Sequence, residues 1–180
     1  SSLKNILFTD YLVNGEMKML YIGTSGYSFQ DWKGNFYPEK IKNSEMLDFY
    51  AERFNTVEIN FTYYRIPTYD IFERMEQKTP VDFKFVVKAN KSMTHDRDKE
   101  LSVFHDFKEA IKPLSNTNKF SGLLAQFPWS YKNTQENREY LGWFKEQIGD
   151  EIPLVVEFRN DSWITEPVFD NNPIARQILG

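Results

Sequence analysis

The feature that most constrains this chain is a regular exchange of two periodicities. Short apolar stretches that alternate every second residue are separated by longer stretches with apolar residues at helical spacing. Five of the first kind are expected as strands, at 19–25 (MLYIGTS), 56–61 (TVEINF), 83–89 (FKFVVKA), 120–127 (FSGLLAQF) and 152–159 (IPLVVEFR). Four of the second kind predict helices. The first spans 43–55, with Leu47, Tyr50, Ala51 and Phe54 on one face and Ser44 as N-cap. The second spans 68–78, capped by Thr68 after Pro67. The third spans 99–114, and the fourth spans 134–149, stopped by Gly149. Strands separated by helices pair in parallel through right-handed crossovers.

Two architectures satisfy that order: an open doubly wound sheet and a (β/α) barrel. The strand faces decide between them. Val57, Ile59 and Phe61 alternate with Glu58 and Asn60; Leu123, Ala125 and Phe127 with Leu124 and Gln126; Leu154, Val156 and Phe158 with Val155, Glu157 and Arg159. One face is always apolar. The other turns polar toward the C-terminal end of each strand. A sheet covered on both sides needs apolar residues on both. A barrel needs them only under its outer helices and tolerates polar groups at its mouth. The expected fold is therefore α/β, a TIM-type (β/α) barrel. No glycine-rich phosphate loop follows any strand; GTSG (23–26) is a weak match because no helix follows it directly.

The barrel reading gathers the chemistry-bearing residues at one end. Glu58 and Asn60 are expected to point inward there, joined by Lys88, Gln126, Glu157 and Arg159 from successive strands. Glu58 and Glu157 suit an acid/base pair, or else are neutralised by Lys88 and Arg159 in a structural network. Lys88 and Arg159 suit an anionic substrate, Arg159 through its two-pronged guanidinium. His95, just past the third strand, is a proton-transfer candidate or an ordinary loop histidine. His105 falls in the third helix and reads as structural or solvent-facing. Asn60 and Gln126 would orient substrate. Of the many loop aromatics, Trp32, Tyr64 and Trp163 are the candidates to wall a pocket, the rest packing over the barrel mouth. DRDKE (96–100) reads as a solvated face. With two histidines in the whole chain and two cations near the carboxylates, no metal site is expected and the cofactor is left unknown.

Composition trims the function classes. A net charge of −4 gives no general attraction to nucleic acid or anionic lipid, so a nucleic-acid partner is disfavoured, though a local basic cluster leaves it open. No apolar run approaches the ~20 residues of a membrane helix. The absence of cysteine fits a cytoplasmic protein and removes thiolate chemistry.

Five motifs in order, YIGTSGYSFQDWKGNFYP, YAERFNTVEINFTYYRIP, FVVKANKSMTH, LLAQFP and VVEFRNDSW, resemble the DUF72 (YecE-like) family from Met19 to Trp163. The resemblance implies a TIM-type barrel of bacterial and archaeal proteins, with no established activity. A complete barrel takes about 250 residues, so the expectation is a partial one, truncated after five βα units. Residues 1–18 are expected to be an extension, flexible or non-native, and 19–180 a single partial barrel domain. Three functional readings follow: an enzyme doing acid/base chemistry on a small anionic metabolite, a non-catalytic module binding a ligand or nucleic acid, or an inactive fragment.

Overall fold

A computed structural model of the chain describes residues 5–9 and 20–164, with side chains described from residue 20 onward. The elements run β1 (Asn5–Thr9), β2 (Leu20–Ser25), α1 (Met46–Ala51), β3 (Thr56–Ile59), α2 (Tyr69–Gln77), β4 (Lys84–Lys88), α3 (Leu101–Asn116), β5 (Phe120–Gln126), α4 (Gln135–Ile148) and β6 (Leu154–Glu157). The strands form one sheet in chain order, β1 to β6. Strands β2 to β6 are parallel, as the alternation with helices requires. β1 falls in the expected N-terminal extension. It runs antiparallel to β2, Asn5 opposite Thr24 and Thr9 opposite Leu20.

Each expected helix is present, with edges that differ for local reasons. The stretch 43–55 is not one helix capped by Ser44. A 3₁₀ turn, Asn43–Glu45, leads into α1, and Glu45 closes its start by accepting the Lys42 N–H at 3.1 Å. Thr68 stands at the N-cap of α2 without a side-chain bond. Thr134 caps α4 in full, its Oγ1 accepting the Asn137 N–H at 3.3 Å, and Gly149 ends that helix at a φ of 87°. β3 stops at Ile59, and a 3₁₀ turn takes over at Phe61–Tyr63, so Asn60 lies just past the strand.

The chain divides into two compact units. The described residues of Ser1–Asn60, Thr68–Val86 and Ile111–Ser121 make the first. Its core holds Tyr50, Val57, Ile59, Phe72, Phe83 and Phe85, all at 1% exposure or less. Burying each such side chain contributes about 1.5–3 kcal/mol of transfer free energy. Thr24 and Val57 are register partners, and the Tyr50 hydroxyl of α1 meets Thr24. Val57 and Ile59 therefore share the helix-covered side of the sheet, and Glu58 faces the other. The strands approach closely because Gly23 has no side chain: a Cβ there would lie 2.0 Å from the Thr56 carbonyl oxygen. That explains the glycine of GTSG without a phosphate. The long aromatic loop after β2 packs on itself and on α1, with Phe36 edge-on to Phe49 at 5.6 Å.

Phe61–Pro67, Val87–Ala110 and the described residues of Gly122–Gly180 make the second unit. Leu123, Ala125, Phe127, Met93, Phe107, Phe144 and Ile148 are fully buried. A ladder of rings closes its far side. Phe127 stacks on Tyr131 at 4.2 Å, Tyr131 on Trp163 at 5.5 Å, and Trp163 on Phe158 at 4.2 Å. Offset ring pairs of this kind add about 0.5–1.5 kcal/mol each beyond their buried area.

Candidate functional site

In the first unit, the C-terminal ends of β2 and β3 carry a short polar relay. Their register sets Ser25 opposite Glu58. Asn60 donates from Nδ2 to Ser25 Oγ at 2.7 Å, and Ser25 Oγ donates to Glu58 Oε1 at 2.7 Å. The amide thus points the hydroxyl, and the hydroxyl fixes the carboxylate. A charge-assisted bond of this length holds Glu58 in one orientation. The expectation that Glu58 and Asn60 share a face is met, since Ser25 joins them.

The second unit carries the larger cluster. β5 and β6 are in register with Gln126 opposite Glu157. Lys88 Nζ, at the end of β4, donates to Gln126 Oε1 at 2.9 Å; Gln126 Nε2 donates to Glu157 Oε2 at 2.7 Å; and Arg159 Nε sits 3.4 Å from Glu157 Oε1. Cation, amide, carboxylate and cation form one line across three strand ends. Gln126 is only 8% exposed and can serve both neighbours because its amide carries an acceptor and donors. Lys88 also lies over the Tyr63 ring at 5.2 Å.

His95 faces the same group. It belongs to a π-helical turn, Ser92–Asp96, a rare geometry often found at functional sites. Asn90 pins the start of that turn: its Oδ1 accepts from Ser92, and its Nδ2 donates to the Thr62 carbonyl at 2.9 Å. The His95 ring is edge-on to Tyr63 at 5.1 Å, and its Nδ1 is 2.9 Å from Thr94 Oγ1. Burial holds the imidazole below its ordinary range, and Lys88, Arg159 and Arg97 push in the same direction against Asp96. His95 is therefore neutral at neutral pH, able to accept a proton rather than to act as a fixed cation.

The aromatic candidates separate. Tyr64 is 77% exposed, edge-on to Tyr63 at 5.1 Å, with a free face. Trp32 is half-buried in the first unit, where its ring meets Phe29, Phe36 and Tyr37. Trp163 does not present a ring to a ligand: it is 4% exposed, and its Nε1 donates to the Tyr131 carbonyl at 2.7 Å. Its geometry is that of a packing residue. His105 is exposed on α3.

Three participants went unread in the sequence. Ser25 stands at the polar end of its strand in step with Glu58, with no local signal of a role. Tyr63 was one aromatic among many. Arg97 lay in a stretch read as solvated, yet its guanidinium sits 5.1 Å from the centre of the Tyr131 ring. Among the described residues, no group of three or more metal-ligating side chains comes together. None of the described helices is long and apolar enough to cross a membrane.

Residues 21–174 match the family model described as "Protein of unknown function DUF72". The chain is 36% identical over 158 residues to the UPF0759 protein YunF of Bacillus subtilis (strain 168), covering 84% of this chain and 55% of that protein. It resembles the crystal structure of a DUF72 family protein (TM1631) from Thermotoga maritima with a TM-score of 0.69 and 41% identity, over 83% of this chain and 59% of that one. A DUF72 family protein (EF0366) from Enterococcus faecalis gives a TM-score of 0.63 at 27% identity, over 71% and 53%. The chain thus spans a little over half the length of the relatives it matches. The likeness assigns the fold class, α/β of the partial TIM-barrel type with five parallel strands and intervening helices. This chain is a member of the DUF72 (UPF0759) family, whose function is uncharacterised.

Proposed function

We propose that this protein binds a small anionic metabolite at the C-terminal ends of its strands and moves a proton on it, acting in the cytoplasm. The observation that carries this reading is the setting of His95. A neutral imidazole lies within the field of Lys88, Arg159 and Arg97, two of which, Lys88 and Arg159, belong to the line of side chains that holds the Glu157 carboxylate. Cations attract and orient an anion, and a neutral imidazole next to it is ready to take its proton. Arg159 suits the role of anion clamp because its side chain is 45% exposed while its Nε is held by Glu157. Glu58, fixed by Ser25 and Asn60 in the first unit, is a separate proton-transfer candidate. Isomerisation, lyase chemistry and hydrolysis all use these parts.

Capture without turnover is the second reading. Its support is that both oxygens of Glu157 are already engaged, and that Tyr64 offers an open ring beside Tyr63 for stacking. A panel of small carboxylates and phosphates, followed by NMR for both binding and conversion, separates the two. Conversion lost in His95→Gln with binding retained supports the enzyme. A ligand recovered unchanged after long incubation supports capture. No saturable binding of any anion sinks both. Binding of DNA or RNA that weakens as salt rises would instead point to a nucleic-acid partner.

A further inference from the structure

Two chemistry-bearing side chains of the second unit meet at one ring. Lys88 Nζ lies 5.2 Å from the centre of the Tyr63 ring, and the His95 ring stands edge-on to it at 5.1 Å. One hydrogen-bond scaffold holds all three residues. Thr62, fully buried, donates from Oγ1 to the Lys88 carbonyl at 2.5 Å, and its own carbonyl accepts from Asn90 Nδ2 at 2.9 Å. Asn90 Oδ1 in turn accepts from the Ser92 N–H and hydroxyl at the start of the turn that carries His95. The 3₁₀ turn of Tyr63, the end of β4 and the π-helical turn are thereby tied to one another, which is how reacting groups are held in a fixed geometry.

The Tyr63 hydroxyl is left open. Those of Tyr37, Tyr50, Tyr131 and Tyr140, all buried, each donate to a backbone carbonyl. Tyr63 is half-buried; its hydroxyl makes no hydrogen bond among the described residues and is not shut away from solvent. A phenol beside an imidazole supplies what the cations do not. Lys88 and Arg159 answer a charge that the ligand already carries. A neutral O–H donor gains most where negative charge develops during the reaction, on an oxygen that starts neutral. Removal of a proton from carbon puts such charge on a neighbouring carbonyl oxygen.

We propose that Tyr63 is a catalytic residue whose hydroxyl donates to the carbonyl oxygen of a 2-oxo acid, a carboxylate with a ketone beside it, while His95 takes a proton from the adjacent carbon. The inference deepens the proton-transfer reading above by naming its substrate class, and it rests on that reading. In the step, the C3–H bond breaks and its proton passes to the imidazole. The electron pair left behind forms the C2–C3 double bond, and the carbonyl π pair moves to oxygen, where Tyr63 stabilises it. Return of a solvent-derived proton to C3 regenerates the ketone, with no oxidant or reductant consumed. The accepting nitrogen is Nε2, so Nδ1–H donates to Thr94 Oγ1, 2.9 Å away. Arg159, with Lys88, holds the carboxylate.

The test is hydrogen exchange at C3 of pyruvate and of 2-oxobutyrate in deuterated buffer, followed by proton NMR with the full chain against a protein-free control. Line broadening in the same spectra measures binding. Two variants accompany the parent: Tyr63→Phe, which keeps the ring and its contacts with Lys88 and His95 and loses only the hydroxyl, and His95→Gln. The parent should accelerate exchange. Tyr63→Phe should lower the rate at saturation by about a hundredfold or more, the effect of losing one donor to a developing oxyanion, with binding and melting temperature unchanged. His95→Gln should abolish the acceleration. Exchange lost in His95→Gln but unaltered in Tyr63→Phe overturns the role of Tyr63 and leaves the proton-transfer reading standing. A Tyr63→Phe rate lowered only through weaker binding overturns the catalytic role as well. No acceleration by the parent overturns the inference, and the panel of carboxylates and phosphates described above then decides separately whether the anion-binding reading stands.

Discussion

Thr94 Oγ1 and His95 Nδ1 lie 2.9 Å apart on one π-helical turn, so the hydroxyl and the ring share one hydrogen bond. Either atom can donate. If the hydroxyl donates, the neutral ring keeps its proton on Nε2; if Nδ1–H donates, Nε2 is left as a base. Thr94 is thus placed to set which nitrogen of the neutral imidazole carries the proton.

The first prediction follows from the depressed His95 value. Its folded pKa lies below the unfolded 6.5, so the unfolded chain binds the proton more readily between the two. This group's contribution to stability is fully present above pH 6.5. It declines as pH falls through that value and levels off below the folded pKa. NMR titration of the His95 ring should give a midpoint below 6.5, and Lys88→Met should raise it. A midpoint at or above 6.5 would remove the case for a neutral imidazole.

The second prediction concerns the Tyr50 hydroxyl. It accepts the Thr24 N–H at 2.8 Å and donates to the Thr56 carbonyl at 3.0 Å, joining β2 to β3 in a fully buried position. Tyr50→Phe leaves the ring packing intact and removes both bonds. The loss should be about 2 kcal/mol by urea unfolding, the cost of stranding buried backbone groups. A loss near zero would mean that water replaces the hydroxyl.

Much of the fold was legible because it rests on short-range pattern. The alternation of Val57 and Ile59 with Glu58, and of Leu154 and Val156 with Glu157, gave the strands and their polar side. Thr134 and Gly149 marked α4. The unread parts depend on partners far apart in the chain. Nothing local in Asn55 announces that its side chain would stand in for a strand, accepting the Ile22 N–H at 2.7 Å and donating to the Leu20 carbonyl at 2.8 Å. Nothing in KSMTHD distinguishes a π turn from a loop, because that turn is pinned by Asn90 through Thr62. Gln126 and Glu157 meet only because β5 and β6 run in register, and the ring of Trp163 lies in a stack that exists only once those strands are side by side.

Two glycines give opposite outcomes for one substitution. A Cβ at Gly23 would lie 2.0 Å from the Thr56 carbonyl oxygen, a backbone atom that cannot turn aside. Gly23→Ala should destabilise by about 3 kcal/mol, the upper range of overpacking. Gly142, inside α4, has nothing within 4 Å of its Cβ position. Gly142→Ala should stabilise by about 0.8 kcal/mol through helix propensity alone. Thermal melts of the two variants should move in opposite directions. A shared direction would contradict the contact geometry at Gly23.

The last prediction concerns Lys119, whose side chain is 4% exposed. Its ammonium closes the C-terminal end of α2, donating to the Glu76 carbonyl at 2.7 Å, the Thr79 carbonyl at 2.9 Å and the Thr79 hydroxyl at 3.2 Å. The Glu76 carboxylate lies 2.9 Å away. A buried cation is tolerable here because every proton has an acceptor and the helix end carries partial negative charge. Lys119→Met keeps the volume but leaves two carbonyls and a mostly buried carboxylate without their donor, at a cost of about 3 kcal/mol. Adding Glu76→Gln to it should recover part of that loss, since the stranded charge is gone while the helix end still lacks the ammonium. Urea unfolding of the two single variants and the double would measure the coupling. Strict additivity would mean that Lys119 acts on the helix carbonyls alone, and the Glu76 contact contributes nothing.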